Sequence, residues 1–98
     1  MDKKVKIDYD TLEEVAETLR VMAHPIRLSI IELLYQNEEL SVTQTHSELN
    51  IEQAIASHHL RILKGKKVVK VRRDGQHSFY SLQDREYYQI LKLMSTLK

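Results

Sequence analysis

Residues 53–63 read QAIASHHLRIL, and this stretch decides the fold. On a helix from Glu52 to Lys64, one side carries the side chains expected to pack inside, at Ala56, His59, Leu60 and Leu63, with Ile55 and Ile62 flanking them. The opposite side carries small and polar side chains, at Gln53, Ala54, Ser57, His58, Arg61 and Lys64. The sequence therefore predicts an amphipathic helix with a polar, cationic outer face.

A shorter helix is predicted immediately before this one. Residues 40–43 lead into it, Ser41 or Thr43 is available as its N-cap, and it ends near Leu49. Residues 50–52 then form a tight turn. Two short helices joined by a few residues, the second with polar residues outside, are typical of a helix-turn-helix.

Beyond Lys67 the apolar period changes from helical to two, which predicts strands at Val68–Arg72 and His77–Leu82. The Asp74-Gly75 pair between them favours a two-residue type I′ hairpin turn. Residues 61–73 contain seven bases and no acid, whereas residues 10–52 contain nine acids and two bases. One side of a compact domain can therefore attract a polyanion although the formal net charge is only +1.

Three further helices complete the predicted order. Asp10 and Glu13 form the pattern of an N-cap and its capping-box partner, which opens a helix at about Thr11–Met22. A second, nearly all apolar helix runs from Pro25 to about Tyr35, and the last runs from about Asp84, its expected N-cap, to Leu97. We expect one domain over residues 1–98, mainly α with a small β-hairpin, in the order α-α-α-α-β-β-α.

This arrangement favours binding to double-stranded DNA, with helix 52–64 in the major groove and hairpin 68–82 as a wing. The residues expected to read bases are Gln53, Ala54, Ser57, His58 and Arg61. Phosphate and wing contacts are expected from Thr43, Gln44, Lys64, Lys70, Arg72, Arg73 and Gln76. A winged helix used only for contact with another protein is the alternative.

The apolar last helix of so small a domain needs a partner to cover it. We expect a homodimer that pairs the first and last helices through Leu12, Val15, Leu19, Tyr87, Tyr88, Leu91 and Met94. Two copies related by a two-fold axis would set their reading helices about one DNA turn apart. The operator is therefore expected to be roughly palindromic.

The sequence resembles the ArsR/SmtB family of bacterial winged-helix repressors over nearly its whole length. The stretches that carry the resemblance are Leu19–Leu28, Glu39–Thr43, Gln53–Leu63 and Arg72–Tyr80. The resemblance implies a dimer, paired through its first and last helices, that represses transcription from operator DNA and is released by an inducer. The sequence does not indicate which inducer this is.

The metal sites known in that family are not expected here. Ser41 and Thr43 occupy the positions of a Cys-x-Cys pair, and the C-terminal site retains Asp84 but has Glu86 and Leu97 at its next positions. His58 and His59 are neighbours and diverge on a helix, while His24 and His46 are the pair that could approach each other across helices. No metal and no cofactor is predicted.

One backbone segment departs from the family pattern. A glycine usual after the reading helix is replaced by Lys67, with Gly65 two residues earlier. Either Lys67 adopts a positive φ, at a cost of about 1 kcal/mol, or the helix ends at Gly65.

The sequence lacks the patterns that characterise several other classes of protein. There is no cysteine, no apolar run long enough to span a bilayer and no secretory signal, so a cytoplasmic protein is expected. No phosphate-binding loop, nucleophile elbow or supported carboxylate pair is present, and adjacent Ser57, His58 and His59 point apart on a helix. We therefore do not expect an enzyme.

Overall fold

The computed structural model describes residues 5–98 as five α-helices and three short β-strands. They follow along the chain as α1 Tyr9–Met22, α2 Pro25–Gln36, β1 Leu40–Ser41, α3 Val42–Leu49, α4 Gln53–Gly65, β2 Val69–Asp74, β3 His77–Leu82 and α5 Glu86–Ser95. The mainly α architecture with a hairpin before the last helix is confirmed. None of the helices described is long and apolar enough to cross a membrane.

The sheet has a third strand that the sequence did not predict. β1 pairs antiparallel with β3, with Leu40 opposite Tyr80 and Ser41 opposite Phe79, so that the strand order is β1-β3-β2. Two residues are too few for a period of two to be visible in the sequence. The strand joins the start of α3 to the hairpin and buries Leu40 in the core.

The hairpin turn lies one residue later than predicted. Asp74 pairs with His77, so the loop residues are Gly75 and Gln76 rather than Asp74 and Gly75. Gly75 has a φ of 63°, and Gln76 is not among the described residues with a positive φ. The type I′ prediction is wrong because that turn needs a positive φ at both loop positions, whereas a type II′ turn needs glycine at the first.

Two of the predicted helix caps are also wrong. Asp8, not Asp10, caps α1: its Oδ1 accepts the Thr11 N–H at 2.8 Å, and this bond lowers the pKa of Asp8. Asp10 lies in the first turn, where its charge favours the helix dipole.

At α5 the residue before the helix is Arg85, in a helical conformation with no side-chain cap. The neighbouring Asp84 carboxyl instead raises the pKa of Glu86, because a second negative charge nearby disfavours ionisation.

The core lies between α2, α4 and the hairpin. Helix α4 buries Ala56, His59, Leu60 and Leu63, which is the face that the sequence predicts. These side chains meet the buried Ile30, Ile31 and Leu34 of α2, with Val68 and Val69 closing the cluster where β2 begins. Each fully buried aliphatic side chain contributes about 1.5–3 kcal/mol, so α4 is held mainly by this apolar face.

Helices α3 and α4 are both followed by a residue in the left-handed conformation. Asn50 has a φ of 53°, and the Ile51 N–H donates to the His46 carbonyl at 3.1 Å. Lys67 has a φ of 60°, and the Val68 N–H donates to the Leu63 carbonyl at 3.0 Å. These are Schellman bonds. The two alternatives for this segment are therefore combined, since α4 ends at Gly65 and Lys67 still adopts a positive φ.

Candidate nucleic-acid interface

Helix α3 is fixed at both ends, and this sets the start of α4. Ser41 Oγ accepts the Gln44 N–H at 3.1 Å, and Gln44 Oε1 accepts the Ser41 N–H at 2.9 Å, which completes a capping box. Ser41, rather than Thr43, is therefore the cap. Thr43 and Gln44 are both exposed in the first turn, although one end of the Gln44 amide is used in the cap.

The predicted reading residues lie together on the outer side of α4. Gln53, Ala54, His58, Arg61 and Lys64 are exposed, and Ser57 is half-buried. A small residue at position 54 permits close approach, while an amide and a guanidinium can bond base edges in the major groove. The face therefore has the chemistry expected of a helix that reads DNA.

The inner side of α4 carries one polar contact. His59 is 7% exposed, and its Nδ1 accepts a hydrogen bond of 3.1 Å from Arg27 Nε of α2. Arg27 Nη1 also donates to the Val21 carbonyl of α1 at 2.8 Å. The prediction that His59 packs inside is confirmed. The role of Arg27 is not indicated by any local sequence pattern, although Arg27 is one of only two bases in residues 10–52.

Three of the predicted wing residues are exposed on the hairpin. Lys70, Arg73 and Gln76 are exposed, with Gln76 at the tip. Arg73 Nη1 lies 3.3 Å from Ser78 Oγ across the strand pair, which leaves the rest of its guanidinium available.

Arg72, a predicted wing contact, is engaged in an ion pair within the protein. Its Nη2 and Nε donate to the two carboxylate oxygens of Glu39, at 2.6 and 3.2 Å. Arg72 also lies in the middle of the strand pair, opposite Phe79, rather than at the tip. The sequence does not predict this ion pair because Glu39 lies far away along the chain, in the loop before β1.

Helices α1 and α5 present a continuous apolar face. Val15, Leu19 and Met94, all predicted at a dimer interface, are 47, 44 and 55% exposed. Leu12 and Leu91 are half-buried. Three more apolar residues of the C-terminal segment are exposed but were not among the predicted interface residues: Ile90, Leu93 and Leu97. A groove of about 470 Å³ between α1, α2 and α5 has almost wholly apolar walls.

Tyr88 and Tyr87 have roles within the protomer. The Tyr88 ring stacks on Tyr35 of α2 with the centroids 4.0 Å apart, and Arg85 lies over the Tyr35 ring. Tyr87 is half-buried and packs against the core. The two tyrosines therefore hold α5 against the domain, which the apolar pattern alone could not distinguish from pairing with a second copy.

Within residues 5–98, no group of three or more His, Asp or Glu side chains is arranged to hold a metal ion. His24 packs against His59, with the ring centroids 4.5 Å apart, and its Nδ1 accepts the Ile26 N–H as the cap of α2. His46 Nδ1 lies 3.2 Å from the Ile51 carbonyl. These histidines are engaged in holding turns.

A helix-turn-helix whose second helix has a polar outer face, followed by a basic hairpin, defines a winged helix-turn-helix transcription regulator. The family profile described as "Bacterial regulatory protein, arsR family" matches residues 24–71. The chain belongs to this family.

Individual relatives agree with that assignment. The chain is 40% identical over 93 residues to the transcriptional repressor PagR of Bacillus anthracis, covering 95% of this chain and 93% of that protein. The crystal structure of PagR superposes with a TM-score of 0.79, covering 89% of this chain and 99% of that one. An HTH-type transcriptional regulator of Methanocaldococcus jannaschii is 38% identical over 85 residues, covering 87% of this chain and 96% of that protein.

A third likeness is to a solution structure from Mycobacterium bovis, described as a homodimeric winged helix-turn-helix DNA-binding domain. It has a TM-score of 0.79 at 25% identity and covers 99% of this chain and 89% of that one.

Proposed function

We propose that this protein is a homodimeric transcriptional repressor that binds a roughly palindromic operator, with α4 in the major groove and the β2–β3 hairpin as its wing. The carrying observation is the outer face of α4, where Gln53, His58 and Arg61 are exposed together on a helix whose other face is buried. Such a face, on the second helix of a helix-turn-helix, is suited to base edges. The function is binding rather than catalysis.

The division of labour follows from the position of each side chain. Gln53, Ala54, Ser57, His58 and Arg61 are assigned to bases, since they lie along α4. Lys64, Lys70, Arg73 and Gln76 are assigned to the DNA backbone, since they lie at the end of α4 or on the hairpin. Thr43 and Gln44 in the first turn of α3 are assigned to phosphate, which helix N-termini attract.

The dimer is supported by the exposed apolar face of α1 and α5 and by the homodimeric M. bovis relative. An exposed apolar surface on so small a domain is a normal sign of a partner. Val15, Leu19, Leu12, Leu91 and Met94 are assigned to this interface, joined by Ile90. Repression, rather than activation, follows the name of PagR, and a DNA-binding regulator of this kind is expected to act in the cytoplasm.

The test is selection of duplexes from a random pool, followed by titration of the best duplex at several salt concentrations. Several phosphate contacts would make the logarithm of the affinity fall steeply and linearly with the logarithm of the salt concentration. The selected sites should contain two inverted half-sites about one DNA turn apart.

Two results would contradict the proposal. Binding that barely depends on salt would favour a winged helix used for contact with another protein. A monomer in sedimentation experiments at micromolar concentration would remove the dimer, and with it the reason for a palindrome.

A further inference from the structure

Besides its apolar face, the reading helix makes one buried polar contact with another helix, and the acceptor in that contact is ionisable. Of the described buried residues, only Thr45 and His59 have polar side chains. The Thr45 hydroxyl bonds within its own helix, to the Ser41 carbonyl, so it does not link helices. His59 is different because its partner, Arg27, belongs to α2, 32 positions away in the chain.

The geometry fixes the protonation state of the His59 ring. An arginine side chain can only donate hydrogen bonds, and it stays charged at all ordinary pH values. His59 Nδ1, which receives the Arg27 Nε–H at 3.1 Å, must therefore carry a lone pair. A proton on Nδ1 would remove the acceptor and set two cations against each other inside the domain.

Arg27 cannot easily follow His59 if the ring moves. A second arm of its guanidinium donates to the Val21 carbonyl in the last turn of α1, at 2.8 Å. Arg27 therefore bridges the end of α1 and the middle of α4, directly behind His58 and Arg61 of the reading face. A loss of the His59 bond would change how α4 is seated while leaving the guanidinium on α1.

The charged and titratable groups that face His59 are all basic side chains. They are Arg27 of α2, His24 in the turn between α1 and α2, and His58 of α4 itself, whose ring lies 5.2 Å away. The group that α1 brings to this contact is the Val21 carbonyl, which accepts a hydrogen bond from Arg27. On α3, the His46 ring is hydrogen bonded to the Ile51 carbonyl. Burial and these bases lower the pKa of His59, so the ring is neutral at neutral pH.

We propose that Arg27 is a positioning residue for DNA binding: it seats the reading helix through the unprotonated ring of His59, and DNA affinity falls when that ring takes up a proton. The proposal rests on the proposed function, since it concerns affinity for DNA. Its sign is distinctive, because added protons on a DNA-binding surface, such as one on His58, would strengthen attraction to phosphate rather than weaken it.

The first experiment follows the rings by NMR in the full chain without DNA. Nitrogen-15 spectra of the imidazoles from pH 8 to pH 5 give the tautomer and the titration of each histidine. At pH 8 we expect the His59 ring to carry a proton on Nε2 and none on Nδ1. The pKa of the ring should lie below its ordinary value, and the Arg27 Nε–H signal should shift as the ring titrates. A His59 ring that carries its proton on Nδ1 at pH 8 would overturn the proposal.

The second experiment measures affinity for a fluorescein-labelled duplex, recovered from the random pool, between pH 8 and pH 5.5 at fixed salt. Below the pKa of His59, uptake of one proton that must be released on binding weakens wild-type affinity by up to about tenfold per pH unit. In His59→Asn an oxygen replaces Nδ1 as acceptor and cannot be protonated. This variant should bind well at pH 8 and lose the acid-dependent weakening.

Arg27→Lys is the matched variant on the other side of the contact. It keeps the positive charge, but a single ammonium cannot hold the Val21 carbonyl and the His59 ring in the same two-armed geometry. We expect weaker binding at pH 8 and a smaller pH dependence, with the helical circular dichroism spectrum unchanged. His59→Gln, which places an acceptor at the Nε2 position instead, should bind less well than His59→Asn.

The outcomes separate this inference from the proposed function. Absence of any selected duplex binding at pH 8 contradicts the proposed function itself. Tight binding at pH 8, with an identical pH profile in wild type and His59→Asn, overturns only the positioning role of Arg27. If His59→Asn does not fold, the wild-type comparison decides: affinity must fall over the pH range in which NMR shows the His59 ring taking up its proton, and a fall outside that range overturns the inference.

Discussion

Arg72 on β2 and Glu39 in the loop before β1 form a two-point ion pair beside the middle of the wing. The Nη2–Oε1 distance is 2.6 Å and the Nε–Oε2 distance is 3.2 Å. The hydrogen bond from Arg72 lowers the pKa of Glu39, and the guanidinium also lies 4.8 Å from the centre of the Phe79 ring. One carboxylate thus neutralises one of the cations of the wing.

Glu39→Gln should therefore strengthen DNA binding. The amide removes the negative charge and frees Arg72 to turn toward phosphate, so the salt dependence should steepen by about one phosphate contact. Affinity for the selected duplex over a series of salt concentrations is the measurement. Glu38→Gln is the control, because it makes the same charge change without a bond to Arg72. Equal slopes for the two variants would show that the ion pair does not restrain Arg72.

Arg61 and Arg73 should differ in what they contribute to binding. Arg61→Ala is expected to cost about 1–3 kcal/mol and to relax the choice of sequence, since Arg61 lies on the reading face of α4. Arg73→Ala should weaken all duplexes about equally and reduce the salt slope by about one. Titrations with the selected duplex and a scrambled one separate the two effects. The same loss of preference in both variants would contradict the assignment of reader and wing.

The local features of this fold could be predicted from the sequence. Ala56, His59, Leu60 and Leu63 recur at the spacing of a helix, so their burial follows from chain order alone. The hairpin is likewise predicted by the alternation of apolar and polar residues and by the glycine at position 75. Each of these features is decided within a short, continuous stretch of the chain.

The features that the sequence did not reveal join distant parts of the chain. Arg27 and His59 are 32 positions apart, and Arg72 and Glu39 are 33 apart. Helical periodicity predicts on which side of its helix a residue lies, but not which side chain of another helix it contacts. For the same reason the stacking of Tyr88 on Tyr35 was not predicted, whereas a place for Tyr88 at the dimer interface stays a prediction. The assignment of individual residues to bases, phosphate or the dimer stays a prediction.

A charge on the apolar face of α1 and α5 should give a folded monomer. Ile90 and Ile55 are 40 and 39% exposed, which makes them a matched pair at different places. Ile90→Glu places a carboxylate within the proposed interface and should halve the mass observed in sedimentation, while Ile55→Glu on α4 should leave a dimer. A dimeric Ile90→Glu protein would place the interface elsewhere.

Lys67→Gly should stabilise the protein. Lys67 adopts a φ of 60°, which costs a residue with a Cβ about 1 kcal/mol relative to glycine. We expect the free energy of unfolding in urea to rise by about that amount, with a smaller rise for Lys67→Asn. Lys67→Ala removes the same charge but keeps the Cβ, so it is the control and should show no gain. A gain in the alanine variant would assign the effect to charge rather than to backbone strain.

His59 should also make stability depend on pH. Because the folded state lowers the pKa of this ring below its ordinary value of 6.5, the unfolded chain takes up a proton there that the folded chain does not. The free energy of unfolding should be unaffected by His59 above that pH, fall as the pH drops through 6.5, and level off below the folded pKa. Urea unfolding of wild type and His59→Asn between pH 8 and pH 5 measures the difference. His77→Gln, at an exposed position on the hairpin, serves as control and should keep the wild-type profile. If His59→Asn lost as much stability as wild type over this range, the Arg27–His59 bond would not be the contact that acid breaks.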